Sequence, residues 1–161
     1  MPHNRNKVLE VKYLEHYEGD PLKYANVGDA GFDLKWSGQD SHGVLFTQKR
    51  IMPNEIFMAK TGVAFDIRDE HYEIQVRPRS GLACNKGLTV VNAPGTIDSG
   101  YQGEVMVGLI NLSTTPVNIH RGDRIAQAVM APVCRCTFVK VTEFEETTTR
   151  GENGFGSTGT Q

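Results

Sequence analysis

The sequence predicts an all-β fold of the sandwich, jelly-roll or barrel kind, and three observations lead there. Short runs rich in β-branched and aromatic residues recur along the chain. Breaks bearing proline or glycine separate them, and one short segment alone reads as helix. Val8 to Leu14 opens the series, and Val44-Leu45-Phe46 begins a second run that breaks at Met52-Pro53-Asn54. Phe57 to Ile67 alternates loosely between apolar and polar residues, and Tyr72 to Arg77 alternates almost strictly, the pattern of a strand with one face buried. Leu88 to Val91, Val105 to Asn111, Val117 to Ile119, Ile125 to Pro132 and Thr137 to Val141 complete the strand candidates. Asn92-Ala93-Pro94-Gly95 and His120-Arg121-Gly122-Asp123 are turn chemistry between them. The helix candidate is a turn or two from Ser80 to Lys86, with Ser80 as its N-cap.

Composition narrows the function classes. A chain of 161 residues with 39% hydrophobic and 22% charged residues suits one soluble domain. A net charge of −2 gives no electrostatic footprint for nucleic acid or an anionic membrane. Phosphate binding must then come from a local site. Residues Met1 to Lys7 are polar and lack the apolar centre of a signal peptide, and no apolar run approaches the roughly 20 residues of a membrane helix. Cys84, Cys134 and Cys136 are odd in number and form no Cys-x-x-Cys pair, which fits a reducing cytoplasm better than a disulfide framework. The domain is expected over residues 1–146. Residues 147–161, rich in glycine and hydroxyls, offer nothing to a core and are expected to form a flexible C-terminal tail.

Five segments carry chemistry. In Gly95-Thr96-Ile97-Asp98-Ser99-Gly100-Tyr101-Gln102-Gly103 a carboxylate and an aromatic ring stand three residues apart in a glycine-punctuated turn. A carboxylate there can take a proton from water; Asp-Ser-Gly is equally a good turn. Arg77-Pro78-Arg79-Ser80-Gly81-Leu82 offers a guanidinium fork beside a helix start with free amides, which suits a phosphate chain. In Gly122-Asp123-Arg124-Ile125-Ala126-Gln127, Gln127 can donate an amide hydrogen bond into a site, with Asp123 and Arg124 read as solvated turn residues. Asp33, within Ala30-Gly31-Phe32-Asp33-Leu34, is either a buried partner for an arginine or a carboxylate near a metal. Finally, Arg150 with the glycines and hydroxyls that follow makes a phosphate clamp, and Phe155 can stack on a base.

In order and at similar spacings, these five segments resemble the five motifs of the trimeric dUTP pyrophosphatases, the dUTPases. The resemblance runs from Ala30 to Gln161. It implies a distorted jelly-roll β-barrel with one short helix, assembled as a homotrimer with its active sites between subunits. Each site would take the first, second and fourth motifs from one subunit, the third from a neighbour and the tail from the remaining one. The implied reaction is dUTP plus water giving dUMP and pyrophosphate. The implied cofactor is Mg²⁺, held by the triphosphate rather than directly by side chains, with Asp33 a candidate outer-shell contact. By position, Asp98 would activate the attacking water and Tyr101 would lie against the deoxyribose. Arg79, Ser80, Gly81 and Gln127 would hold the phosphates, while Asn92, Thr96, Ile97 and Met106 would belong to a hairpin that reads uracil. Arg150, Gly156, Ser157 and Thr158 would close over the γ-phosphate as Phe155 stacks on the base. Two other readings share the fold: a dCTP deaminase and a non-catalytic trimer that binds a nucleotide or a protein partner. The deaminase group places a glutamate base in a Thr-Leu-Glu setting after the third motif, where this chain has Glu104-Val105-Met106-Val107-Gly108-Leu109. The segment Ser37 to Gly43 is expected to be a longer surface loop, to which the sequence assigns no role.

Overall fold

A computed structural model of the chain describes residues 7–144, 148 and 151. Within them ten strands and one helix run in the order β1 (Glu10–Tyr13), β2 (Phe32–Lys35), β3 (Gln48–Ile51), β4 (Ile56–Asp66), β5 (Tyr72–Arg77), α1 (Ser80–Lys86), β6 (Leu88–Val90), β7 (Gly95–Ile97), β8 (Glu104–Asn111), β9 (Val117–His120) and β10 (Arg124–Pro132). One four-stranded sheet has the order β1-β4-β8-β6, a second has β2-β10-β5-β7, and β3 pairs with β9 in a two-stranded ribbon. All pairings are antiparallel. The two larger sheets share one apolar core, in which Ala59, Val63, Phe65, Val107 and Leu109 from the first meet Leu34, Ile74, Val76, Ala126 and Ala128 from the second. This is the predicted all-β jelly-roll arrangement; as described, the sheets do not join into one closed barrel.

Side-chain alternation decides which residues face the core. Successive strand residues point to opposite faces, so Phe32 and Leu34 are buried while Asp33 and Lys35 turn away. Ile74 and Val76 are buried in the same way, leaving Gln75 and Arg77 on the outer face of β5. Trp36, just past β2, is fully buried and meets Phe57 edge to face at 5.6 Å. Its indole N–H donates to the Gln39 carbonyl at 2.8 Å. Burying a large apolar side chain contributes about 1.5–3 kcal/mol. Asn111 is the largest of three buried polar residues among those described, with Ser37 and Thr61. Its amide nitrogen donates to the carbonyls of Ile51 at 3.0 Å and Thr115 at 2.9 Å, and its oxygen accepts from the Ser113 amide at 2.9 Å. Satisfied this way, it fastens the β3–β9 ribbon to the end of β8 instead of destabilising the core.

Four local expectations are corrected. Ser37 to Gly43 is not all surface loop: Ser37 and Gly38 are buried, and Gln39 and Asp40 form bridges to Leu45 and Ala59. Ser80 is the first helical residue rather than the N-cap; Arg79 holds that position with extended dihedrals and no side-chain capping bond. The run from Val44 forms its strand later, at Gln48–Ile51, because Val44 and Leu45 lie exposed in the loop ahead of it. Thr137 to Val141 is not a strand. Its β-forming residues have no neighbouring strand among the described residues, and β-propensity is realised only against a partner. Phe138 is 91% exposed there, Val139 76% and Phe144 86%. Two short strands were read only in part: β2 as a strand start, and β7 as part of a turn.

Candidate active site

The outer face of the second sheet builds one half of the site. Gln127 on β10 lies opposite Asp33 of β2 on one side and Arg77 of β5 on the other. Strand register thus delivers a carboxylate, an amide and an arginine to one surface. At the end of β5 the chain turns through Pro78 and Arg79 into α1. The Arg79 Nε lies 2.8 Å from Asp33 Oδ1, and an Arg79 guanidinium N–H donates to the Arg124 carbonyl at 3.1 Å. The Gln127 amide donates to the Pro78 carbonyl at 2.8 Å. A cleft of about 320 Å³ opens here, lined by Asp29, Gly31, Asp33, Arg79, Ser80, Gly81 and Gln127 among others. The first amides of α1 have no partner inside the helix, so the cleft offers N–H donors beside a guanidinium. A cleft of this kind is built for an anion.

Asp33 resolves into an arginine partner in this structure. Its second oxygen accepts from the Arg124 guanidinium at 3.1 Å, so each carboxylate oxygen faces one cation. Arg124, read from sequence as solvated, is half exposed and pairs with Asp33 from outside the cleft lining. Gly31 is a contributor without an assigned role in the sequence reading. A Cβ there would come within 3.0 Å of both the Gln127 amide oxygen and Val129, and 3.1 Å from the Ala128 carbonyl. A side chain at this position would crowd β10, so glycine suits the close approach of the chain leading into β2.

The second half lies along β7 and β8. Asn92, Thr96, Ile97 and Met106, with Gly95 and Gly108, line a pocket of about 60 Å³. Beyond β7, the Asp98 carbonyl accepts the Tyr101 amide at 3.0 Å, closing the turn. Asp98 itself is exposed. The Tyr101 hydroxyl donates to the Glu104 carbonyl at 3.0 Å. Neither cleft lining includes Asp98 or Tyr101.

Register shows how far apart the two halves sit within one chain. Ile97 pairs with Ile74, the third residue of β5, so β7 runs away from the Arg79 end as it leads to Asp98. From Ile74 to the end of β5 at Arg77 an extended chain advances roughly 10 Å at about 3.3 Å per residue. One fold thus brings together Asp33, Arg79, Ser80, Gly81 and Gln127, and separately Asn92, Thr96, Ile97 and Met106, and leaves Asp98 well along the sheet from the first group. Arg150, Phe155, Gly156, Ser157 and Thr158 lie outside the described residues.

A model of the dUTPase family matches residues 18–159, the greater part of the chain. This chain belongs to the dUTPase family. A deoxyuridine 5′-triphosphate nucleotidohydrolase from Desulfotalea psychrophila is 50% identical over 156 residues, covering 95% of this chain and 98% of that protein. One from Zymomonas mobilis is 47% identical over 152 residues, covering 94% and 97% respectively. Among solved structures, the Staphylococcus bacteriophage 80alpha dUTPase with dUPNHPP superposes with a TM-score of 0.80 at 26% identity, covering 96% of this chain and 99% of that one.

Proposed function

We propose that this dUTPase hydrolyses dUTP to dUMP and pyrophosphate, at sites completed only when copies of the chain assemble as a homotrimer. The observation that carries the reading is the separation within one chain of an anion cleft around Arg79 from the small pocket and Asp98 beside it. A triphosphate bound in the first group and a base read by the second group of the same chain would have to span the sheet. Two neighbouring subunits, each giving one half, remove that difficulty. The exposed apolar run from Phe138 to Phe144 supports assembly as well, since contiguous apolar surface of this kind marks an interaction site. The named activity of the relatives supports the substrate. Such an enzyme limits uracil incorporation into DNA and supplies dUMP for thymidylate synthesis. The exposed free cysteines suit a cytoplasmic setting.

In this mechanism Arg79, the Ser80 and Gly81 amides and Gln127 hold the phosphates. Asp98 orients a water and takes its proton as the water oxygen bonds to the α-phosphorus. The bond from that phosphorus to the bridging oxygen breaks, and its electron pair leaves with pyrophosphate. Positioning and charge stabilisation supply most of the catalysis in such a displacement, and no covalent nucleophile is needed. Tyr101 packs against the deoxyribose, where a 2′-hydroxyl would collide with the ring. Asn92, Thr96, Ile97 and Met106 confine the base; a cytosine there would leave buried polar groups unpaired, which discriminates strongly. Arg150, Phe155, Gly156, Ser157 and Thr158 contribute the closing contacts to the γ-phosphate and base, so that residues 147–161 act as the tail of a domain spanning 1–146. Mg²⁺ fits as a hard ion carried on substrate phosphates: both oxygens of Asp33 are engaged by arginines, leaving it at most an outer contact. When bound, the ion would neutralise charge on the phosphate oxygens.

Pyrophosphate release, measured for each deoxynucleoside triphosphate and for UTP with Mg²⁺, tests the assignment. Turnover is expected with dUTP and little with dTTP, dCTP or UTP. Comparable rates on UTP and dUTP would remove Tyr101 as a sugar filter. Ammonia from dCTP without pyrophosphate would replace the reading by deamination.

A further inference from the structure

Tyr101 is held from beneath by a residue to which neither the motifs nor the fold assigns a role. Its hydroxyl donates to the backbone carbonyl of Glu104 at 3.0 Å, the first residue of β8. Tyr101 is 44% exposed, so core packing does not impose its orientation. The position of the Glu104 carbonyl is imposed, because the Glu104 side chain reaches across to β4 at a register shift. Lys60 pairs with Met106 and Ala64 pairs with Glu104, so β4 carries extra residues between them. Within that bulge Gly62 has φ +73°, and a Cβ there would fall 2.6 Å from the Tyr17 Cα. The bulge lifts the Gly62 N–H out of the ladder, and Glu104 Oε1 accepts it at 2.9 Å. The same oxygen lies 2.6 Å from His16 Nε2, and Oε2 lies 3.3 Å from the Lys60 ammonium. The Glu104 side chain is only 14% exposed. Gly103 completes the arrangement: a Cβ on it would come 2.6 Å from the Tyr101 hydroxyl oxygen.

We infer that Glu104 is a positioning residue for sugar recognition, its carboxylate clamp on Gly62, His16 and Lys60 fixing the carbonyl that tethers Tyr101. This rests on the assignment of Tyr101 to the deoxyribose. Without the clamp the start of β8 loosens and the ring loses its fixed plane. The filter against a 2′-hydroxyl then weakens, while the water activated by Asp98 is little affected.

Steady-state kinetics on dUTP and UTP test the inference. Glu104→Ala is expected to raise KM for dUTP more than it lowers kcat. It should also narrow the dUTP-over-UTP ratio of kcat/KM by about tenfold, inside the about 10²-fold that a 1 Å misplacement can cost. Glu104→Gln keeps an acceptor for the Gly62 amide and should restore most of the ratio. Because Tyr101→Phe cuts the same tether, the double variant Glu104→Ala/Tyr101→Phe should be no less selective than the worse single variant. A Glu104→Ala enzyme with a lower Tm but unchanged selectivity would overturn the inference, as would multiplicative effects in the double variant. Should Glu104→Ala fail to fold, Gly103→Ala decides instead, since its methyl displaces the ring with the clamp intact; unchanged selectivity there would equally overturn it. Tyr101→Ala separates the two levels. If it leaves selectivity intact, the sugar assignment itself fails; if it relaxes selectivity and the Glu104 and Gly103 variants do not, only the tether fails.

Discussion

Asp98→Asn is expected to lower kcat for dUTP hydrolysis by about 10² to 10⁴, the usual range for loss of a general base. KM should stay near the parent value. The amide has the same shape as the carboxylate and can still accept a hydrogen bond from water, but it cannot take the proton as the oxygen attacks phosphorus. Folding should be untouched, because Asp98 is exposed and it is its backbone carbonyl, retained in the variant, that closes the turn to Tyr101. Initial rates of pyrophosphate release, with melting temperatures of both proteins, check this. A variant with nearly full kcat would return Asp98 to the role of a turn residue.

Arg79→Ala should act mainly on binding. A hydrogen bond to a charged group is worth about 1.5–3 kcal/mol, so KM for dUTP should rise by about 10- to 10²-fold. The loss on the apo side is small by comparison. Arg79 pairs with Asp33 at 2.8 Å, but Asp33 keeps Arg124 at 3.1 Å and is itself part-exposed, and pairs of that kind contribute little to stability. Titration of a non-hydrolysable dUTP analogue, followed by calorimetry, gives the affinity directly. Unchanged affinity would mean that the cleft around Arg79 does not take the phosphates.

Much of the fold was legible because alternation and turn chemistry are local. Tyr72 to Arg77 showed its full strand in the sequence, and Phe57 to Ile67 differed from β4 by one residue at each end. The short strands were harder. Gly95–Ile97 pairs with β5, yet its glycine and threonine read as turn, and only the register of a distant strand makes it sheet. Thr137 to Val141 failed in the opposite sense, having the right residues and no strand beside it among the described residues. Within the candidate site, residue types pointed to Arg79, Asp98 and Gln127, of which the fold brings Arg79 and Gln127 to one cleft. Asp33 was legible as an arginine partner or a metal neighbour, but that its partners are Arg79 and Arg124, remote in the chain, and that it is only part-buried, shows only in the fold. Gly31 stood inside a recognised motif, but its contact with Gln127 appears only when β2 lies against β10. Glu104 gave no signal at all, since a glutamate opening a strand resembles any solvated one until the β4 bulge places an amide opposite it.

The central claim, that one catalytic site is shared between subunits, is tested most directly by mixing the two disabled proteins. Asp98→Asn and Arg79→Ala chains are unfolded together in equal amounts, reassembled, and assayed at a dUTP concentration where each parent is nearly inactive. If Asp98 and Arg79 of one site come from different subunits, some sites in mixed trimers receive both native residues. Random assembly then restores about a quarter of the wild-type activity, because each of the two donors is the right kind in half of the cases. If a single subunit supplies both residues, every site lacks one of them. Mixed trimers, verified by mass, that remain as inactive as their parents would contradict the shared site.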